Sequence, residues 1–167
     1  IVSRVLPHFG EEPPISGEKG AGTIFFSSCN LRCSFCQNFQ ISHFPSGRVE
    51  SPASLAGQML ELQKSRCHNI EAVTPTPQLP FFLKALEHAC EQDLALPIVY
   101  NCGGYEDPEI VGMLDGIVDL YLPDFKYGDE EAARLLAGVG DYPQFALASI
   151  REMVRQCGDD LAFEGQI

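Results

Sequence analysis

The chain of 167 residues is 45% apolar and carries a net charge of −12 at pH 7. It is long enough to bury one core. With no apolar run of membrane-spanning length and no basic start followed by an apolar stretch and a small-residue cleavage site, neither a membrane protein nor a secreted one is expected.

Residues 1–80 balance six basic against six acidic side chains, whereas residues 81–167 set five against seventeen. Without a basic face, nucleic acid is excluded as a partner, and the acidic half reads as solvated helical surface. The first 21 residues, rich in Pro, Gly and Glu, predict an extended lead-in, and a chain starting on Ile predicts a segment of something longer. "GTIFFSS" (22–28) predicts a strand, and "SPASLAGQMLELQKSR" (51–66) a helix capped by Ser51, with Pro52 in its first turn and Leu55, Met59 and Leu62 on one face. "IEAVT" (70–74) predicts a strand stopped by "PTP", and residues 79–92 a helix with Phe82, Leu83, Leu86 and Cys90 facing inward. "LPIVYN" (96–101) predicts a third strand, 108–116 a short helix, 116–125 a fourth strand, and 129–138 and 142–158 two further helices.

This alternation predicts an α/β fold with parallel strands covered by helices, a core over 22–167 of about four βα units. Four units do not close a barrel, so a truncated barrel or an open sheet is expected, with a full-length protein that continues past Ile167. Loops after the strand C-termini are where active sites collect in such folds.

The loop after the first predicted strand, "SSCNLRCSFCQNFQ", places Cys29, Cys33 and Cys36 in eight residues. Seven cysteines without a secretory signal favour a reducing compartment, the cytoplasm, where clustered thiols read as metal or cluster ligands. One reading is a [4Fe–4S] cluster on three thiolates, leaving one iron open for a ligand. Asn30, Asn38 and nearby backbone N–H groups would then tune the cluster sulfurs, and Phe35 would lie against a planar ligand. A second reading is zinc with His43 as fourth ligand, though its seven-residue gap from Cys36 is long for such sites. A third is three cysteines with no cofactor, which burial alone does not explain beside Asn30, Arg32 and Gln37.

The C-x3-C-x-aromatic-C spacing, with Phe35 as the aromatic, resembles the signature of the radical S-adenosylmethionine (radical SAM) enzymes. "EEPPISGEKGAGTIFFSSCNLRCSFCQNFQIS", "VTPTPQLP", "YNCGGYE" and "DGIVDLYLPDFKYGD" extend the likeness to uncharacterised relatives of pyruvate formate-lyase activating enzyme. The resemblance implies a partial (β/α) barrel of the radical SAM type, a [4Fe–4S] cluster on Cys29, Cys33 and Cys36, and S-adenosylmethionine (SAM) chelated to the open iron. It implies an oxidoreductase: one electron splits SAM to methionine and a 5′-deoxyadenosyl radical, which removes a hydrogen atom from the substrate. It also implies a glycyl-radical enzyme as protein substrate and an electron donor such as flavodoxin or ferredoxin.

In such activating enzymes a Gly-Gly-Glu segment after the next strand holds the SAM amino group. Here "VTPTPQ" (73–78) has neither the glycines nor the acid, so Thr74, Thr76 and backbone carbonyls are the candidates, against a proline-stiffened turn. Likeness makes Asn101 a partner for the SAM ribose or carboxylate, Lys126 a partner for the carboxylate, and Asp124 the residue that orients Lys126 or binds a cation. Gly103 and Gly104 allow close backbone approach or serve a turn. Ser28 stands where relatives often carry glycine. Cys67-His68, Cys90 and Cys157 read as structural, the last two on apolar helical faces. The reading from a different class is a zinc- or cluster-stabilised binding module without catalytic activity.

Overall fold

A computed structural model describes residues 1–158. Four parallel strands form its centre: β2 (Ala21–Phe26), β3 (Ile70–Val73), β4 (Ile98–Cys102) and β5 (Leu120–Pro123). The extended lead-in supplies a fifth: β1 (Val2–His8) pairs antiparallel with β2, giving the order β1-β2-β3-β4-β5 in a sheet that is not closed. Val2 also exchanges backbone hydrogen bonds with Arg48, at 2.9 and 2.8 Å, which ties the outer edge of β1 to a later loop. The helices are α1 (Pro13–Ser16), α2 (Phe39–Ser42), α3 (Pro52–Lys64), α4 (Leu79–Cys90), α5 (Pro108–Gly112), α6 (Glu130–Ala137) and α7 (Tyr142–Cys157), with a 3-10 turn at Thr76–Gln78.

The alternation of helices and parallel strands is as expected, and the capping residues act where the sequence places them. Ser51 accepts the Ser54 N–H at 3.1 Å and Pro52 opens α3, while Asp129 caps α6 by accepting the Ala132 N–H at 2.8 Å. The fourth strand is shorter than predicted, because the backbone turns at Leu114–Ile117 and ladder pairing begins only near Asp119. Cys90 and Cys157 depart from their expected places: each ends its helix and is exposed rather than packed. Cys67 is buried, and His68 accepts the Lys19 N–H at 3.2 Å.

Register assigns the two faces of the sheet. Ile24, Ala72, Tyr100 and Tyr121 align across the four parallel strands and join Leu55, Met59 and Phe82 in the helix-covered core. Alternation then puts Thr23, Glu71, Val99 and Leu120, and above them Phe25, Val73, Asn101 and Leu122, on the opposite face. The lower end of that face is covered by the chain around α1, where Ile15 is buried and its carbonyl accepts the Asn69 amide at 2.9 Å. Its upper end stays open beside the strand C-termini. Among the described residues no helix is long and apolar enough to cross a membrane.

Candidate functional site

The cysteine loop leaves β2 through Ser28, whose φ of 79° is left-handed, a conformation that favours glycine. The Ser28 N–H donates to the Ile41 carbonyl at 2.8 Å. The next turns are held from the other end of the domain. Arg32 N and Ser34 N donate to the carbonyls of Ala137 and Leu136 at 3.3 and 2.8 Å. These are C-terminal carbonyls of α6, which lack partners within the helix, so the helix end fixes the loop. Leu31 and Cys33 are buried there against Tyr127 and Tyr142.

Cys29, Cys33 and Cys36 are free thiols. All three line one cleft of about 670 Å³, together with Phe35, Asn101, Asp124 and Lys126. The structure thus brings the three cysteines, Phe35, Asn101, Asp124 and Lys126 to one place, with Asn38 and Thr74 also in the lining, while Thr76, Asn30 and His43 lie outside it. Leu31 N donates to Cys29 Sγ at 3.4 Å, and Cys36 Sγ lies 3.2 Å from Ser42 Oγ. Burial pushes the Cys29 thiol above its usual pKa; the Leu31 N–H opposes this, and Cys33 and Cys36 add to it. Charge on Cys33 and Cys36 disfavours the Cys29 thiolate, and a cationic iron–sulfur core, which takes thiolate donors, would offset that. In donor chemistry, three free thiols lining one cleft fit such a core. Tyr127 Oη, buried beside Cys33, has no well-formed hydrogen bond among the described residues, and a Cys33 thiolate offers it a stronger acceptor. His43 Nε2 is likewise buried without a partner among those residues. Asn30 braces the loop, its amide donating to the Tyr105 carbonyl, with Oδ1 3.6 Å from Cys29 Sγ. Phe35 is exposed, its ring tilted against Tyr127 at 5.7 Å.

Across the cleft, Asn101 is held in one orientation. Its Nδ2 donates to Glu71 Oε1 at 2.9 Å, while Thr23 Oγ1 donates to Glu71 Oε2 at 2.6 Å. A flipped amide would set Oδ1 against a carboxylate, so chemistry fixes the assignment. Oδ1 has no partner among the described residues and is what Asn101 presents to the cleft. Lys126 Nζ pairs with Asp124. Gly103 leaves room for Leu31: a Cβ there would lie a tight 3.1 Å from Leu31 Cδ1 and in ordinary contact, 3.4 Å, with Lys126 Cε. Gly104, at φ 76°, serves a turn and an approach between strands, since a Cβ would sit 2.3 Å from the Asp124 carbonyl.

Thr74 ends β3 with φ 54°, an uncommon conformation for a β-branched residue. Thr76 does not face a ligand; it donates to Glu106 at 2.6 Å, as Tyr100 does at 3.3 Å. Burial holds the Glu106 carboxyl up at about 7 despite these two bonds. Cys102 is buried in the helix-covered core. Glu11 and Glu12, from the lead-in, line the opposite rim. Burial, then Glu71, Glu12 and Asp124, raise Glu11 to about 7.

Sequence reasoning missed Glu71, Glu106, Glu11 and Tyr142. Glu71 had a signal, a charge inside the apolar strand "IEAV", and Glu106 closes "YNCGGYE". Tyr142 had none beyond its place in a helix.

A family model described as "Radical SAM superfamily" matches residues 23–158. Over 143 residues the chain is 33% identical to an uncharacterised protein of Methanocaldococcus jannaschii, covering 81% of this chain and 40% of that protein. The chain thus spans less than half the length of the curated relative it matches.

Proposed function

Because this chain belongs to the radical SAM superfamily, whose members are generally oxidoreductase-type enzymes working with an iron–sulfur cluster and SAM, we propose that Cys29, Cys33 and Cys36 hold a [4Fe–4S] cluster and that SAM binds beside it in the same cleft. When bound, the pair supplies reductive cleavage of a sulfonium and abstraction of a hydrogen atom. The chain's own residues bind and shield. Lys126, steadied by Asp124, offers a cation to the SAM carboxylate. Asn101 presents an acceptor, which suits a ribose hydroxyl and opposes a carboxylate. Phe35 offers a ring face to a planar group. Phe25, Val73 and Leu122 give the cleft an apolar wall that excludes water.

The observation that carries this reading is the meeting of three free thiols with Asn101, Asp124 and Lys126 in one cleft at the C-terminal edge of the parallel strands. The finer reading is an activating enzyme that places a radical on a glycyl-radical protein in the cytoplasm, drawing its electron from a flavodoxin or ferredoxin. It rests on the likeness of "VTPTPQLP", "YNCGGYE" and "LPDFK" to the activating-enzyme relatives.

The test is anaerobic iron and sulfide analysis with EPR after dithionite reduction, with and without SAM. A [4Fe–4S]⁺ signal that shifts on adding SAM is expected. Zinc in place of iron, or a cluster signal indifferent to SAM, would overturn the assignment in favour of a metal-stabilised binding module. For the finer reading, a glycyl-radical EPR doublet on a candidate protein substrate is expected, and SAM cleavage with only small molecules as hydrogen donors would sink it.

A further inference from the structure

Tyr142 is fully buried, and its hydroxyl sits among three backbone groups from two loops. It accepts the Lys126 N–H at 2.7 Å and shares its own hydrogen between the carbonyls of Gly103 at 2.8 Å and Asp124 at 3.0 Å. The strand ladder ends here: Asp124 N to Cys102 O, at 3.0 Å, is its last bond. Beyond it, the loop after β4 and the loop after β5 are joined through this phenol. The ring has a different set of neighbours. It meets Tyr127 edge-on at 5.1 Å and packs in the buried cluster of Leu31 and Cys33 beneath the cysteine loop.

One side chain therefore reaches both halves of the cleft, the packing beneath the cysteine loop through its ring and the backbone of Asp124 and Lys126 through its hydroxyl. We propose that Tyr142 is a positioning residue that sets Lys126 and Asp124 at a fixed place relative to the three cysteines. Asn30 also ties the cysteine loop to the loop after β4, but that bond does not reach Lys126. Among the described residues Lys126 Nζ is paired with Asp124 alone, two residues away, so the pair moves as the loop moves. The consequence for SAM rests on the reading of Lys126 as a SAM contact; the mechanical role does not.

The experiment uses Tyr142→Phe in the full-length protein, which keeps the ring and removes the hydroxyl. Amide hydrogen exchange reads the clasp without any cofactor. The Lys126 amide is expected to exchange at least about tenfold faster, with mid-α7 amides unchanged. Unchanged exchange at Lys126 would overturn the proposal. After anaerobic reconstitution, iron content is expected to match the parent while the SAM dissociation constant rises about tenfold. In a Lys126→Met background, the same Tyr142 change is expected to alter SAM affinity less than about twofold, because it acts through Lys126. Additive losses would overturn that route. A parent protein that assembles its cluster but ignores SAM overturns the reading of the cleft, and hydrogen exchange still decides the clasp.

Discussion

Asn101 Nδ2 and Glu71 Oε1 lie 2.9 Å apart, on neighbouring strands and on the face turned away from the helices. Glu71 is fully buried, and each of its oxygens accepts one bond, from Asn101 and from Thr23. Removing the acceptor leaves two donors stranded. Glu71→Leu is therefore expected to cost about 2–4 kcal/mol of stability in urea unfolding. Glu71→Gln keeps an acceptor for Asn101 and lets the Thr23 hydroxyl rotate, so it should cost less than half as much. Equal losses for the two variants would show that shape, not hydrogen bonding, matters at this position.

Glu106 makes stability depend on pH. Its carboxyl is held at about 7 against an ordinary 4.5, chiefly by burial. The folded chain thus binds this proton more tightly than the unfolded chain. Its contribution is most favourable below about 4.5, is lost as pH rises from there to about 7, and is flat above. The span is at most about 3 kcal/mol. Parent and Glu106→Gln unfolding curves between pH 4.5 and 8 should differ by this slope, with the variant gaining relative to the parent at the alkaline end. Glu11 also titrates near 7 and adds a smaller slope of the same sign in both proteins. A constant difference across the range would contradict the assignment.

Four described residues other than glycine hold left-handed backbone, Ser28, Arg66, Thr74 and Asp93, and two of these stand where a strand runs into the site: Ser28 at φ 79° and Thr74 at φ 54°. The strain is worth about 1–2 kcal/mol, partly offset by the flexibility glycine adds to the unfolded chain. Thr74→Gly is expected to raise the melting temperature by about 2–4 °C, the β-branched side chain being the worse fit. Ser28→Gly should gain less. A fall in melting temperature for both would mean that the side chains hold contacts that outweigh the strain.

The cysteines divide into two groups by place. Cys29, Cys33 and Cys36 line the cleft from their loop and Cys102, buried at the end of β4, also reaches its lining, whereas Cys67 is buried elsewhere and Cys90 and Cys157 are exposed at helix ends. Alanine at any one of the first three should remove most of the iron bound after anaerobic reconstitution. Serine at Cys90 or Cys157 should leave iron content unchanged. Iron that follows total cysteine count instead would point to adventitious binding.

Much of this architecture is written in short stretches of chain. Apolar runs of four to six residues alternating with longer helical patterns specify parallel strands under helices, since each element must bury a face. Ser51 and Asp129 cap helices through bonds made within three residues. The cysteine loop was legible for the same reason: its chemistry lies in eight consecutive residues directly after a strand. Where burial depends on what arrives from elsewhere, the local pattern misleads. The lead-in becomes a strand because β2 offers it an edge, and Cys90 is exposed because its helix ends there.

The opposite wall of the cleft belongs to the tertiary structure. Asn101 meets Glu71 across 30 residues, Thr76 meets Glu106 across 30, and Tyr142 reaches Gly103 across 39. No spacing rule links such pairs, because strand register and loop path bring them together. Residue types along the chain decide which chemistry the site can hold. Which end of the Asn101 amide is tied down, which threonine is turned away from the cleft, and what holds Lys126 in place are decided by neighbours that only folding supplies.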